Sequence, residues 1–469
     1  MYILQYFFIK SLRTRERQRL ISELRQAKEQ RTAKAHFTTQ NPYFKILTKK
    51  ALFMILVYNS FIMKGIFVRT PGLSYNAHYV ERMAQKLNQF GIELIFYDID
   101  YNNIDAYVNF LQEQRPFFVM DVNGSALVYG ESNGNRVSLC DAFGFLHISV
   151  FTEDPMLYYP ALFNGRESRN FIQMITDMKH ADFLRSIGYQ NIYFLAPFVS
   201  EELLQRPIPQ EKEIKVLFPG PIVDPNIIVQ ESAKIFPEEV MPVFVEVGEF
   251  MRRNPEVDVI FAVEYMLPFF NYEIQEKFLK WRNESPEAYI NFLVNVGLYN
   301  TARKRLFIIS FLEGIDIKIL GDSQVPLKEG QEVISAETQE DVLNIYANSM
   351  ITFLSFPSIV PSGIGFTPIE VISQNSCAFI DYRASLPGFF IPDQEIVAYT
   401  PLDRLEIEEK LLFFLENEDQ AMEIAKNGRS KVESSFTETQ RAQFVADIIK
   451  QIYEQSIGST MDNQQETKN

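Results

Sequence analysis

Cysteine, histidine and tryptophan are scarce in this chain: 469 residues hold two, four and one of them respectively. Two cysteines, Cys140 and Cys377, cannot build a disulfide framework. Both fall in apolar, strand-like runs where a thiol behaves as a small hydrophobe, which fits a reducing, cytoplasmic setting. Four histidines (His36, His78, His147, His180) without any Cys/His spacing of a metal centre argue against imidazole-based metal chemistry, so no metal ligand is expected. G-x-G-x-x-G, a Walker-type phosphate loop and H-E-x-x-H are all absent. Long apolar runs are missing too. The run Ala51 to Met63, "ALFMILVYNSFIM", is 13 residues long, short of the roughly 20 that span a bilayer. It lies behind a 50-residue polar segment with no small-residue cleavage site, unlike a signal peptide.

Positive charge is also in short supply. Lys and Arg number 45 against 60 Asp and Glu, for a net charge of −15. That balance excludes a broad phosphate-backbone footprint, and no nucleic-acid partner is expected. Residues 1–50 are the exception, with twelve basic residues against Glu16, Glu23 and Glu29. The stretch reads as a basic helix whose apolar stripe of Leu12, Leu20, Ile21 and Leu24 is thin. Peripheral contact with the inner face of a membrane, or with a partner helix, is one use for it; an accessory segment ahead of a domain starting at Met63 is the plainer one.

What the chain has in plenty is core material: 46% apolar residues, with 41 Phe and 22 Tyr. At this length one core does not suffice, and two domains are expected. From Lys64 short apolar runs alternate with amphipathic ones. Strands are expected at Ile66–Arg69, Glu93–Tyr97, Phe117–Val122, His147–Phe151 and Ile192–Leu195, with helices at Ala77–Phe90, Asp105–Gln114 and Phe171–Ile187. After the Pro- and charge-rich linker Leu203–Ile214 the alternation restarts with strands at Lys215–Phe218, Asp316–Leu320, Val333–Ser335, Ile351–Ser355, Cys377–Tyr382 and Ile396–Tyr399. A long helical region between Pro237 and Phe311 interrupts it. This pattern predicts an α/β protein with two Rossmann-like parallel sheets. The boundaries are 1–62 for a basic helical extension, 63–205 and 213–436 for the two domains, 437–457 for a closing helix and 458–469 for a disordered tail.

In such sheets ligands sit over the carboxyl ends of the strands. "SGIGFTPIEVISQNSCAFIDYR", Ser362 to Arg383, is a loop of that kind. Gly363 and Gly365 allow close backbone approach to a ligand, and Glu370 on the following helix can accept hydrogen bonds from a diol; a turn followed by an ordinary helix acid is the alternative. Glu153 and Asp154 end the strand His147–Phe151 and face the space between the domains. A carboxylate there either serves as general base or caps the turn before Pro155. Asn123 and Gly124 form a turn or bind a ligand, and His147 belongs in the strand core.

The blocks "IDIKILGD", "TQEDVLNIYANSMITFLSF", "GFTPIEVISQNSCAFIDYR" and "FFIPDQEIVAYTPLDRLEIEEKLLFFLENEDQAMEIAKNGRSKV", in this order from Ile315 to Val432, resemble the nucleotide-binding half of GT-B glycosyltransferases, most of all the CgeB-like (spore-maturation-type) family. The N-terminal half matches more loosely through "PFFVMDVNGSA", "HISVFTEDPMLYY" and "SIGYQNIYFLAPFVSEEL". The resemblance implies a GT-B architecture: an acceptor domain over 63–205, a nucleotide-sugar domain over 213–436, a cleft between them and a C-terminal helix crossing back. It implies that Glu370 meets the ribose of a nucleoside-diphosphate-sugar donor, that the Gly363 to Gly365 loop faces the diphosphate, and that Gly321 and Asp322 border the base or sugar. Asp154 and Glu153 are the catalytic candidates. Position 362, where retaining relatives commonly carry a second glutamate, is Ser362, and position 367, where CgeB-like relatives often carry arginine, is Thr367. Arg383 then remains to balance the diphosphate, together with Arg303, Lys304 and Arg305, for which a solvated helix face is the plainer expectation. The implied function is sugar transfer to a glycan, protein or lipid-linked acceptor, with no cofactor beyond the donor and no metal. A catalytically silent nucleotide-binding or interaction protein of the same fold is the alternative.

Overall fold

A computed structural model describes residues 63–72, 75–132, 135–358 and 360–466. The basic segment 1–62, with its expected helix and membrane contact, lies outside them.

The first sheet is built from β1 (Met63–Arg69), β2 (Ile92–Asp98) and β3 (Phe118–Val122), then, after a hairpin of β4 (Tyr129–Ser132) and β5 (Asn135–Ser138), from β6 (Leu146–Phe151), β7 (Phe171–Ile175) and β8 (Ile192–Phe194). All its pairings are parallel, in the order β2-β1-β3-β6-β7-β8. Every residue of β3 and β7 is buried, as befits strands covered on both faces. That burial explains a correction. The stretch expected as one helix, Phe171–Ile187, is strand β7 followed by the short helix His180–Ser186. A continuous apolar run such as "FIQMI" carries no period that separates strand from buried helix. Cys140 likewise lies in a short helix, Leu139–Phe143, capped by Ser138, whereas Cys377 is on a strand; both thiols are free and buried.

The second sheet comprises β9 (Ile214–Pro219), β10 (Ile317–Leu320), β11 (Gln331–Ile334), β12 (Ser349–Leu354), β13 (Cys377–Asp381) and β14 (Val397–Tyr399). Its order, β11-β10-β9-β12-β13-β14, reverses between β9 and β12. At such a switch point the two flanking loops diverge and leave a crevice over the carboxyl ends. Between β9 and β10 stand five helices: Pro225–Ile235, ahead of the stretch expected to be helical, and four within that stretch, ending with the 26-residue Pro286–Phe311. Their apolar faces share one core with Phe151, Phe171 and Phe183 of the first half.

Two segments cross between the halves side by side. Val199 donates its N–H to the Phe436 carbonyl at 3.0 Å, and Glu438 donates its own to the Val199 carbonyl at 3.0 Å. The closing helix Glu438–Glu466 then packs on the helix Asn76–Lys86 of the first half. Its buried first carboxylate, Glu438, is paired with Arg82 at 3.1 Å and Lys86 at 3.4 Å, and Tyr453 meets Phe117 edge-on at 4.9 Å. The helix continues past Gly458, where a disordered tail was expected. Two Rossmann-like sheets, a cleft between them and a helix returning across the first make up the expected two-domain architecture. Among the described residues no helix is long and apolar enough to cross a membrane.

Candidate active site in the interdomain cleft

Loops from the carboxyl ends of both sheets enclose a cleft of about 560 Å³. Thr152 to Asp154 follow β6; Thr176, Asp177 and His180 follow β7. Facing them are Gly220 after β9, Leu354 to Pro357 after β12, Gly365 to Pro368 at the start of the helix Thr367–Ser373, and Arg305 from the helix Pro286–Phe311.

Asp154 is 2% exposed. Its Oδ1 accepts from the Met156 N–H at 2.9 Å, so it does cap the turn before Pro155, and His180 Nε2 stands 3.9 Å from the same oxygen. Its Oδ2 is buried with no hydrogen-bond partner. Burial raises the carboxyl's pKa, and His180 opposes the rise. Glu153, less buried, accepts from the Tyr158 hydroxyl. Asn123 and Gly124 make the turn that supports this segment: both have positive φ, and Asn123 accepts from Thr152 N at 2.9 Å and donates to the Tyr158 hydroxyl at 3.0 Å. His147 is a core strand residue, 3.1 Å from Asp121.

The glycine loop divides between two environments. Gly365 lines the cleft at φ +63°, and nothing lies within 4 Å of where a Cβ would stand. Gly363 is instead closed off by Asp177 from the first half. That carboxylate accepts from Gly363 N at 2.7 Å, Ser362 N and Lys179 N at 2.9 Å each, and the Ser362 hydroxyl. Burial alone would raise the Asp177 pKa; His180 and these hydrogen bonds outweigh it and hold it below the usual carboxylate range. The carboxylate beside Ser362 therefore comes from across the cleft.

Glu370 is 4% exposed on the helix that begins at Thr367. Burial pushes its carboxyl up to about 7, against the pull of a hydrogen bond from the Tyr79 hydroxyl to Oε1 at 2.5 Å. The Tyr79 ring stacks on Phe366, centroids 5.6 Å apart and planes within 1°. The acid stands directly behind the cleft wall, engaged by a tyrosine of the first half.

Besides Gly363 and Glu370, three more expected residues do not line the cleft. Gly321 packs on the Gly220–Pro221 backbone at the end of β10, and Asp322, exposed, offers its carbonyl to Ile222 N at 2.8 Å. Arg383 is buried, donating to the Pro361 carbonyl at 2.9 Å with its guanidinium 5.3 Å from the Phe356 ring centroid, so it braces the loop from behind.

Conversely, two of the three consecutive cations expected on a solvated helix face point inward. Lys304 is fully enclosed, donating to the Phe356 carbonyl at 2.5 Å and to Asp381, which also accepts from the Tyr399 hydroxyl. Burial pulls its ammonium down to about 8, with Asp381 opposing. Arg305 donates to the carbonyls of Pro219 at 2.6 Å, Gly220 at 2.7 Å and Pro221 at 3.1 Å, and burial lowers it to about 10. Successive helix positions lie about 100° apart, so three neighbours cannot share one face. That spacing, on a helix otherwise rich in apolar residues, was the signal available in the sequence.

A family described as Glycosyl transferase-like matches residues 303–447, from the cationic stretch of the long helix into the closing helix. An uncharacterized protein of Aquifex aeolicus (strain VF5) is 38% identical over 395 residues, which cover 84% of this chain and 98% of that protein. Among solved structures, sucrose-phosphate synthase from Thermosynechococcus elongatus superposes with a TM-score of 0.48 at 9% identity, covering 84% of this chain and 99% of that one. Anabaena HepE in complex with UDP-glucose gives a TM-score of 0.47 at 9% identity, covering 83% and 100%. The chain is thus a relative of the Aquifex aeolicus protein along most of its length, and its residues 303–447 match the glycosyl transferase-like family.

Proposed function

We propose that the protein transfers a sugar from a nucleoside-diphosphate sugar to a hydroxyl of a glycan, protein or lipid-linked acceptor in the cytoplasm, and that it lies in the CgeB-like branch of the family. The observation that carries this is the pairing, across one cleft, of a buried carboxylate oxygen without a partner, Asp154 Oδ2, with the cation Arg305 and the open Gly365 backbone. The acceptor oxygen bonds to the anomeric carbon as its proton passes to Asp154. The bond from that carbon to the diphosphate oxygen breaks, and its electron pair leaves with the nucleoside diphosphate, whose charge Arg305 and the Gly365 N–H stabilise. A base with a raised pKa is better matched to this task near neutral pH. Glu370, once ionised and released by Tyr79, accepts from the ribose hydroxyls. Arg305 supplies the charge a metal would otherwise bring, so transfer proceeds without one; activity abolished by a chelator and restored by Mn²⁺ refutes that part.

Thermal unfolding with UDP, GDP, dTDP, CMP or ADP at millimolar concentration tests the donor site. A nucleotide at 100 times its Kd stabilises by about 2.7 kcal/mol. One of the five should raise the midpoint in wild type and not in Glu370→Ala, and Asp154→Asn should keep that binding while losing transfer. Transfer at wild-type rate by both variants overturns the assignment. A second reading, a nucleotide-binding or interaction protein without turnover, draws support from Glu370 and the Gly363 N–H both being engaged by first-half side chains. Nucleotide binding without turnover of any donor sugar would favour it.

A further inference from the structure

We infer that a second cavity between the halves, separate from the cleft, binds a small organic anion with a flat apolar body. The cavity measures about 390 Å³, within the range of small-molecule sites. It lies beside both crossing segments, behind the glycine loop: Gly363 lines this cavity and Gly365 the cleft, with the Asp177 hydrogen bonds to Ser362 and Gly363 between them.

Three phenylalanines form one wall. Phe389 and Phe436 are stacked at 6.0 Å, and Phe194 meets Phe389 edge-on at 6.1 Å. The charged groups in the lining are Lys431 and Arg441, and no carboxylate accompanies them. Among the described residues most lysines and arginines have an ion-pair partner within 4 Å, but neither of these two does. Arg441 donates Nη2 to the Ser435 carbonyl at 2.7 Å and lies over Phe436 at 5.4 Å, while its Nε is buried with no hydrogen-bond partner. A desolvated guanidinium N–H without an acceptor is a costly state that an anionic oxygen relieves with a charge-assisted hydrogen bond. Burial also lowers the Arg441 pKa to about 10, the same penalty in another form. Aromatic walls and two cations without an ion-pair partner together select a ligand with a ring system at one end and a carboxylate, sulfonate or phosphate at the other. The inference does not rest on glycosyl transfer.

The full chain is titrated with 8-anilinonaphthalene-1-sulfonate and, in parallel, with the uncharged N-phenyl-1-naphthylamine, following fluorescence. Gly388→Trp fills the cavity at a position where a Cβ meets nothing within 4 Å, and Lys431→Ala removes one cation without touching a protein hydrogen bond of its side chain. The sulfonate should bind at one saturable site, about tenfold or more weaker in Lys431→Ala, as expected for loss of one charge-assisted contact. Binding should be abolished in Gly388→Trp, whose unfolding midpoint verifies that it folds, and the neutral probe should bind far more weakly to wild type. UDP should leave the sulfonate bound. Equal affinity for both probes, or unchanged binding in both variants, overturns the site; competitive displacement by UDP makes the cavity part of the donor cleft and overturns its independence.

Discussion

Glu370→Gln should change how stability depends on pH. The folded carboxyl titrates at about 7 against an ordinary 4.5 because burial penalises its charge. Between those values the folded state holds a proton that the unfolded state has released, so wild-type stability falls as pH rises from 4.5 to 7 and is level above that. At about 1.4 kcal/mol for each pH unit, the whole effect is about 3 kcal/mol. Glutamine keeps an oxygen for the Tyr79 hydroxyl and has no proton to lose, so the stability difference between variant and wild type should move by that amount, in the variant's favour, between pH 4.5 and 8. Urea unfolding of both proteins at half-unit pH steps measures it. Tyr79→Phe serves as the companion: the hydrogen bond it removes is the one that lowers the Glu370 pKa, so the decline in stability should continue to a higher pH than in wild type. A variant-to-wild-type difference that stays constant across the range would refute the argument, because it would mean that Glu370 is ionised in the folded protein throughout.

Asp177→Ala should cost about 3 kcal/mol, since it strips the acceptor from the Ser362 and Gly363 amides. Faster hydrogen exchange at those two amides would identify the loss, and the wild-type advantage over Asp177→Asn should fade as pH falls below about 4, because the native carboxylate titrates below its ordinary value. Gly428→Ala lies within the helix Glu418–Ser435, where the change would ordinarily stabilise by up to about 1 kcal/mol. Here the methyl would stand 2.2 Å from the Glu395 carbonyl oxygen, so a loss of about 1 to 3 kcal/mol is expected, read as a lower urea midpoint. Lys304→Met should destabilise by about 3 kcal/mol by leaving the buried Asp381 with only the more distant Arg383, at 3.8 Å, as a cation. Adding Asp381→Asn should recover part of that, and strict additivity in the double-variant cycle would show that the two groups do not interact.

Strand and helix periods are local, and they were legible for most of both sheets. The exception was β7, where burial on both faces erased the alternation. The cap role of Asp154 was equally local, carried by the Asp-Pro pair itself. The cationic triplet at 303 to 305 misled because a charge count says nothing of which side of a helix is enclosed.

The chain's own order of residues determined that there would be two parallel sheets, that strand-end loops would carry Asp154 and Gly365 with Glu370 on the helix that follows, and that a helix would close the chain. What those residues touch was decided only by the docking of the halves. Tyr79 reaches Glu370 across 291 residues and Asp177 reaches Gly363 across 186, and no sequence period links positions so far apart. Their meeting depends on how two separately wound sheets pack, and that packing also leaves Asp154 Oδ2 and Arg441 Nε buried without partners. A desolvated polar atom is a property of its surroundings, so it becomes visible only when the surroundings are complete.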